Sequence, residues 1–552
     1  MPREQYKRDL YRFQAGPLGH IEGVSVSYRS DTSQTRPLLR YFGGLPYALP
    51  PTGPYRFRKP RCLPDQYRYG TKANPGRFTR SAAICPQPAW GTKYPEDLFD
   101  EDCLQLNLYI PTGSPPSSKG WPVFFYIHGG FLQWGSANMT PEAVAPLLST
   151  TAFRAIIVMP AYRVNSFGFL ASRELQAEAE QYGEAAGNQG FWDQRLALEW
   201  AATNIRHFGG DPWNITVGGY SAGSHSTFQQ LAHELYFVPD DRAIIRRVIM
   251  WSNSPGVQPR TAAEHQAQFD EYITKLGIPL DTPASEQLRR LRALPMKQLV
   301  EVQAAMTISE FRATSDGAFI PKDVIASINS GDFARRMQKR GIKILNGECR
   351  DEHNLYRQWR TPASSYDAVY TRLCADYPER AVEKLMEHAC GSSHSLPVAQ
   401  GDWQDLFGRL YANMQVHCLE RGFCNALVQG GLRPGRDLLR YRIEWRAGCV
   451  EMPIEWGVTH ATDMAIWFWG EGGEITPEEA QVLQPWNEAF AMFVNGGAVK
   501  WDTPTVRDML RLRGDGATDV WTDDRWDEGL EIWDLVNDDS STGVLGWLKS
   551  RL

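Results

Sequence analysis

Five residues constrain this chain more than any others: Gly219-Tyr220-Ser221-Ala222-Gly223, a G-x-S-x-G pattern. The bare pattern recurs by chance, so its flanks carry the argument. Residues 214–218 read as a strand and residues 222–235 as a helix. A chain that passes from strand to helix in so few residues turns so sharply that only glycine fits on either side, and the turn lifts the serine hydroxyl off the sheet. The helix N-terminus then aims its free N–H groups at whatever that hydroxyl attacks. Ser221 is therefore the candidate nucleophile. Ser224 and Ser226 lie inside the helix, lack the turn, and read as ordinary helix serines.

The rest of the chain supplies a sheet for that turn. Short apolar runs recur at 123–127 (VFFYI), 155–159 (AIIVM), 215–217 (ITV), 248–251 (VIMW) and 342–345 (IKIL). They are continuous rather than alternating, as in parallel strands covered on both faces. Helical patterns lie between them, the clearest over 188–206. The predicted fold class is α/β: a mostly parallel central sheet with helices on both faces. The Gly/Pro-dense stretch 43–60 is no helix interior. Residues 255–340 and 359–435 read as mostly helical excursions that return to the sheet and cover one end of it as lid elements, where a substrate pocket is built. No linker divides the chain, so residues 1–552 are expected to form a single domain.

Charge and cysteine usage narrow the function classes. With 58 Lys+Arg against 64 Asp+Glu the net charge is −6, which gives no field toward nucleic acid or anionic membrane. No apolar stretch follows the N-terminal charges, as a secretory signal requires, and no run is long enough for a membrane span. Nine cysteines are an odd number without disulfide-scaffold spacing. No Cys/His set has zinc spacing, so no metal or other cofactor is expected. Ser550-Arg551-Leu552 resembles the Ser-Lys-Leu peroxisomal address with Arg for Lys. The expectation is an intracellular protein, cytoplasmic or peroxisomal, not secreted.

A nucleophilic serine needs a base and an acid behind it, and in strand–turn–helix enzymes the chain order is Ser, acid, His. Glu348, Asp351 and Glu352 follow the strand at 342–345, and spacing does not choose among them. Of the later histidines, His388, His394 and His417 sit in helical or polar insertion sequence, and His353 adjoins the acids. His460 follows a Gly-Val-Thr turn after the strand-like stretch 438–445 and is the best base. The developing oxyanion needs donors already aimed at it: the N–H of Ala222, and N–H groups of the loop His128-Gly129-Gly130-Phe131 after the strand 123–127. His128 itself reads as a packing residue.

The chain resembles the type-B carboxylesterase and cholinesterase family of α/β-hydrolases over roughly residues 19 to 501. The carriers are the stretch 43–60, Glu101-Asp102-Cys103-Leu104-Gln105-Leu106-Asn107, Tyr162-Arg163, Phe167-Gly168-Phe169-Leu170, residues 187–200 and residues 208–212 (FGGDP). The resemblance implies Glu352 as the acid, from Gly347-Glu348-Cys349-Arg350-Asp351-Glu352, with His353 where the family has Gly. It implies His460 as the base, from His460-Ala461-Thr462-Asp463, with Ala461 for the family's Gly and Asp463 matching its acidic position. It implies Ser252 as a buried serine supporting the acid, Arg163–Asp193 and Arg56–Glu101 as structural ion pairs, and Cys85–Cys103 as the family's first disulfide. In a reducing compartment that bond is expected to be labile or absent.

The departures carry their own expectations. Phe131 replaces the third glycine of the family's H-G-G-G-F loop. Its N–H still donates with those of Gly130 and Ala222, while its ring is expected to narrow the pocket against bulky acyl or tertiary-alcohol groups. Tyr220 stands where the family often has Glu. The short segment between Cys85 and Cys103 carries one Trp, Trp90, and it does not map onto the choline-binding Trp. Both points argue against a true cholinesterase. The chain is rich in rings, with 19 Trp, 22 Tyr and 24 Phe. Trp134, Tyr220 and Trp467 are candidate pocket walls, alongside Phe468 and Trp469, and such walls suit a largely apolar ligand. The implied activity is hydrolysis of a small-molecule carboxylic ester through Ser221, His460 and Glu352. A triad of this kind also serves acyltransferases, transesterases and lactone-forming enzymes of secondary metabolism, and some relatives are non-catalytic binding proteins.

Overall fold

The apolar runs form the middle of one sheet in the computed structural model, which describes residues 5–29, 37–91 and 93–537. Its strands in chain order are β1 (Tyr6–Gln14), β2 (His20–Tyr28), β3 (Pro37–Pro46), β4 (Gln105–Pro111), β5 (Trp121–Ile127), β6 (Ile156–Pro160), β7 (Gly210–Tyr220), β8 (Ile245–Trp251), β9 (Lys343–Cys349), β10 (Leu438–Ile443), β11 (Asp508–Leu512) and β12 (Thr518–Thr522). They lie side by side as β1-β2-β3-β4-β6-β5-β7-β8-β9-β10-β11-β12, with the short strand Gly76–Arg77 paired to β2 off this path. Every pairing from β6 across to β11 is parallel. The pairings at the two ends are antiparallel.

The sequence reading identified the central strands and missed the antiparallel ends. All residues of β5 and β6 are buried, and alternate residues of β5 serve different cores. Val123, Phe125 and Ile127 face one apolar cluster with Phe191, Leu198, Phe228 and Leu231. Phe124 and Tyr126 face another with Val144, Leu147 and Phe490. A strand with no solvent face has no polar alternation to show. By contrast β1 (YKRDLYRFQ) is mostly exposed; its mixed charges suit an edge that must not pair with another chain, and they hide it from a search for apolar runs.

Helices α1 (Pro141–Thr150), α2 (Gln189–Asn204), α3 (Ala222–Phe237), α4 (His353–Gln358), α5 (His417–Gln429), α6 (Met464–Trp467) and α7 (Pro477–Asn495) flank the sheet and its C-terminal end. Within 255–340 lie Gln266–Lys275, Ala284–Ala293, Met296–Glu301, Val324–Asn329 and Asp332–Arg340. Within 359–435 lie Tyr366–Cys374, Glu379–Cys390, Trp403–Gln415 and α5. No helix of the described residues is long and apolar enough to cross a membrane. Ser550-Arg551-Leu552 lies outside the described residues.

Candidate active site

β7 ends at Tyr220 and α3 begins at Ala222, so Ser221 alone makes the turn, at φ 56 and ψ −123. That left-handed φ is one that side chains other than glycine rarely adopt. The flanking glycines are required by space. A Cβ on Gly219 would lie 2.4 Å from the Gly223 backbone, and one on Gly223 would lie 2.0 Å from the Ile127 carbonyl oxygen. The Ser221 N–H donates to Trp251 O at 2.9 Å, tying the turn to β8. Ser224 Oγ donates to Asn253 O at 2.8 Å and Ser226 Oγ to Ala222 O at 2.9 Å. Both hydroxyls are thus committed to local bonds.

The three acids that spacing left open part company in space. Glu352 is fully buried. Its Oε1 accepts the Cys349 N–H at 3.0 Å and its Oε2 lies 2.6 Å from His460 Nδ1. Asp351 turns the other way: Oδ2 accepts the Val458 N–H at 2.9 Å and pairs with Arg350, and the Asp351 N–H donates to Val458 O. It knits the acid loop to the histidine loop. Glu348 points into a buried ionic knot, with His417 Nδ1 at 2.7 Å and Arg421 Nη1 at 3.0 Å, and is also bonded to Arg442. Burial works to raise its pKa, but Arg421, His417 and Arg442 outweigh burial and hold it well below the usual carboxylate range. Of the other histidines, His417 belongs to Glu348, and His394 stacks on Tyr366 at 4.0 Å.

Tyr356 was not anticipated. It sits one helical turn beyond Glu352 in α4, and its hydroxyl lies 3.1 Å from His460 Nδ1 and 3.4 Å from Nε2. Among the described residues no hydrogen bond joins Ser221 to His460. The spacing of four from Glu352 was a usable signal, since i and i+4 share a helix face.

The loop after β5 lies against the serine turn: a Cβ on Gly129 would meet Tyr220 O at 2.7 Å and Ser221 Cβ at 3.1 Å. Gly130 has φ 106 and Phe131 φ 57. The Phe131 carbonyl is held by Gln133 Nε2 and by Arg312, which fixes the peptide planes. The Phe131 ring stacks on Trp359, 4.6 Å between centroids and 5° from parallel. His128 stacks on Tyr162 at 4.4 Å. Burial pushes its pKa down to about 4, so it is neutral, in keeping with a packing role.

Two cavities meet at this point. One of about 1120 Å³ is lined by Ser221, His460, Tyr220, Trp134, Trp359 and Trp469, among others. A smaller one of about 90 Å³ is lined by Ser221, Ala222, Phe131, Met414 and Gln415, among others. Phe131 and Ser221 border both. Trp134 and Tyr220 both line the larger cavity.

Two expectations need correcting. Trp467 is not a pocket wall: it is buried, stacks on Trp251 at 5.2 Å, and its Nε1 donates to Asp463 Oδ2 at 3.0 Å. Trp469, two residues on and at φ 51, reaches the cavity instead. Ser252 is buried at φ 49, but its hydroxyl has no hydrogen-bond partner among the described residues and gives Glu352 no support; the Cys349 N–H does that. Cys85 and Cys103, the pair in which the resemblance implies a disulfide, are free, buried thiols. Asp463 is buried and accepts from Trp467 Nε1 at 3.0 Å and Tyr441 OH at 3.4 Å, and among the described residues it has no hydrogen bond to His460. Burial, then the Glu352 charge, push its pKa up to about 6. The expected ion pairs Arg163–Asp193, at 2.7 Å, and Arg56–Glu101 are present.

The chain itself is similar to known ester-cleaving enzymes. The model of the carboxylesterase family matches residues 14–506. The chain is similar to a carboxylic ester hydrolase of Gibberella moniliformis, 55% identical over 538 residues and covering 97% of each chain. It is similar to an esterase/lipase of Schizosaccharomyces pombe, 36% identical over 550 residues and 96% of each chain. The para-nitrobenzyl esterase of Bacillus subtilis is 27% identical over 507 residues, covering 87% of this chain and 91% of its own.

Proposed function

The chain belongs to the carboxylesterase family of α/β-hydrolases, and from that premise we propose that it cleaves a small-molecule carboxylic ester by acyl transfer through Ser221, His460 and Glu352. The observation that carries this reading is His460, bonded through Nδ1 to buried Glu352 at 2.6 Å, in the wall of the cavity that Ser221 also lines.

Ser221 Oγ attacks the ester carbonyl while His460 Nε2 takes its proton. Glu352 holds the imidazole by Nδ1 and stabilises the cation that forms. The carbonyl oxygen becomes an oxyanion bound by the N–H groups of Gly130, Phe131 and Ala222, donors fixed before the charge develops. The C–O bond breaks and the alcohol leaves with the proton from His460. Water then attacks the acyl-enzyme by the same route and frees the acid. The small cavity beside Phe131 takes a short acyl group, and the large aromatic-walled cavity takes the bulk of a largely apolar alcohol. The Phe131 ring, held by Trp359, keeps the small side small.

A fluorophosphonate probe tests the reading at one atom. Intact-mass analysis is expected to show one stoichiometric adduct on the wild-type protein and none on Ser221→Ala. An adduct retained by the variant would remove Ser221 from the mechanism, and no adduct on either would remove the activated serine.

Tyr356 adds a prediction about rate. Nδ1 has one hydrogen and gives it to Glu352, so the useful bond of the Tyr356 hydroxyl is donation to Nε2, the atom that must take the Ser221 proton. Burial holds this phenol well above its ordinary pKa, so it remains a donor. Tyr356→Phe keeps the ring and releases Nε2. It is expected to speed Ser221 phosphonylation roughly three- to tenfold, the scale of one net hydrogen bond. A slower variant would mean the hydroxyl assists the imidazole instead.

A further inference from the structure

The large cavity has one sign of charge. Glu142, Glu451, Glu471 and Glu474 line it, and no Lys or Arg does among the described residues. Glu142 is taken by Arg8, with contacts of 2.6 and 2.7 Å. Glu471 is different. Its backbone N–H donates to Phe468 O at 3.3 Å, but its carboxylate makes no hydrogen bond or ion pair among the described residues and is open to the cavity while protein surrounds it. The backbone puts it there at a conformational cost. Trp469, Gly470, Glu471 and Gly472 have φ values of 51, 95, 49 and 96, four left-handed residues in a row, two of them not glycine. Bonds from Gly470 N to Ala465 O at 2.6 Å and from Gly473 N to Gly470 O at 2.8 Å hold the loop in this shape. Strain kept at a cavity wall marks a functional position more often than a structural one.

We propose that Glu471 is a specificity residue of this cavity, where its carboxylate receives a protonated primary amine carried by the alcohol part of the ester. The proposal rests on the hydrolase reading and narrows its substrate class to amino-alcohol esters with an apolar body. A primary ammonium suits the site because its N–H groups donate directly to carboxylate oxygens, and the rings of Trp469 and Tyr126 on the same wall favour a cation over an anion.

The groups that bear on Glu471 are Asp463 at the start of α6, Tyr126 of β5, and Cys449 on the facing loop. Burial raises Tyr126 and Cys449, so both stay neutral near pH 7. Burial and then the Asp463 charge push Glu471 up to about 7. An ionised Glu471 is thus the form present above that pH, and a bound cation stabilises it. The preference should therefore appear as pH rises through about 7.

The test compares two acetates, of 6-aminohexan-1-ol and of heptan-1-ol, as a ratio of kcat/KM. The ratio cancels the pH dependence of the chemical steps, which both esters share. Wild type is expected to favour the ammonium ester about tenfold or more at pH 8.5, equivalent to about 1.4 kcal/mol, and by less than about threefold at pH 6. Glu471→Gln should bring the ratio near one at both pH values. A wild-type ratio near one at pH 8.5, or an unchanged ratio in Glu471→Gln, overturns the proposal. Cleavage of neither ester would count against the hydrolase reading instead. A second readout needs no turnover: n-hexylammonium should bind wild type at pH 8.5 about tenfold more tightly than Glu471→Gln by calorimetry. Equal affinities overturn the proposal whether or not either ester is cleaved.

Discussion

Ser221→Ala is expected to lower kcat/KM on 4-nitrophenyl acetate by a factor on the order of 10⁴ or more. The substitution removes one oxygen and little else. Alanine faces the same strain as serine at φ 56, the turn is held by the Ser221 N–H to Trp251 O bond, and the glycines that permit it remain. The melting temperature should barely move, so the loss is chemical. What survives is the acceleration that bound water receives from the N–H donors and His460, which in enzymes of this type is a small remnant. Ser224→Ala and Ser226→Ala serve as controls, because their hydroxyls are bonded to Asn253 O and Ala222 O. A Ser221→Ala sample free of contaminating esterase that keeps a tenth of wild-type activity would end the assignment.

The elbow could be read from sequence because its physics is local. A strand, a serine between two glycines and a helix leave the chain one way to turn, and the clash distances at Gly219 and Gly223 state that requirement in space. The central strands were equally open to reading, since a strand buried on both faces must be apolar throughout. The edges were not, because an edge strand such as β1 is defined by its partner rather than by its own pattern.

Side-chain direction set the limit at the site. Glu348, Asp351 and Glu352 lie within five residues, and only the structure separates their targets: Arg421 and His417 for the first, Val458 for the second, His460 for the third. The aromatic run 467–469 poses the same problem. Trp467 lies in α6 and points into the core, whereas the chain turns left-handed at Trp469 and swings that ring into the cavity. A two-residue difference carries no composition signal. Glu471 escaped for a related reason: in sequence it is one more acid in a Gly-rich loop, and only the cavity around it makes it unusual.

The contrast between Glu352→Gln and Glu348→Gln follows from those directions. Glutamine at 352 keeps an oxygen for the Cys349 N–H but can present its amide N–H₂ to His460 Nδ1. The imidazole then carries its proton on Nε2, the wrong atom for receiving the Ser221 proton. The rate is expected to fall by about 10³ to 10⁴, the scale of a misplaced tautomer, with the fold close to intact. Glutamine at 348 should be mild for the chemistry, since Glu348 is bonded to His417, Arg421 and Arg442 rather than to His460. Stability is another matter. Removing its charge takes from Arg421 one of two buried carboxylates, leaving it Asp523 at 2.8 Å, and leaves Arg442 with Glu444, so the expected cost is below the figure of about 3–5 kcal/mol for an uncompensated buried charge. Because Glu348 is held below its ordinary range, its contribution is fully present above about pH 4.5 and is lost only as pH falls through the depressed value. The stability gap between wild type and Glu348→Gln should therefore be widest near neutral pH and close on acidification. Urea unfolding at pH 7.5 and at low pH, with kcat measured on the folded protein, separates the two acids. A Glu348→Gln protein that is stable but inactive, beside an active Glu352→Gln, would reverse their roles.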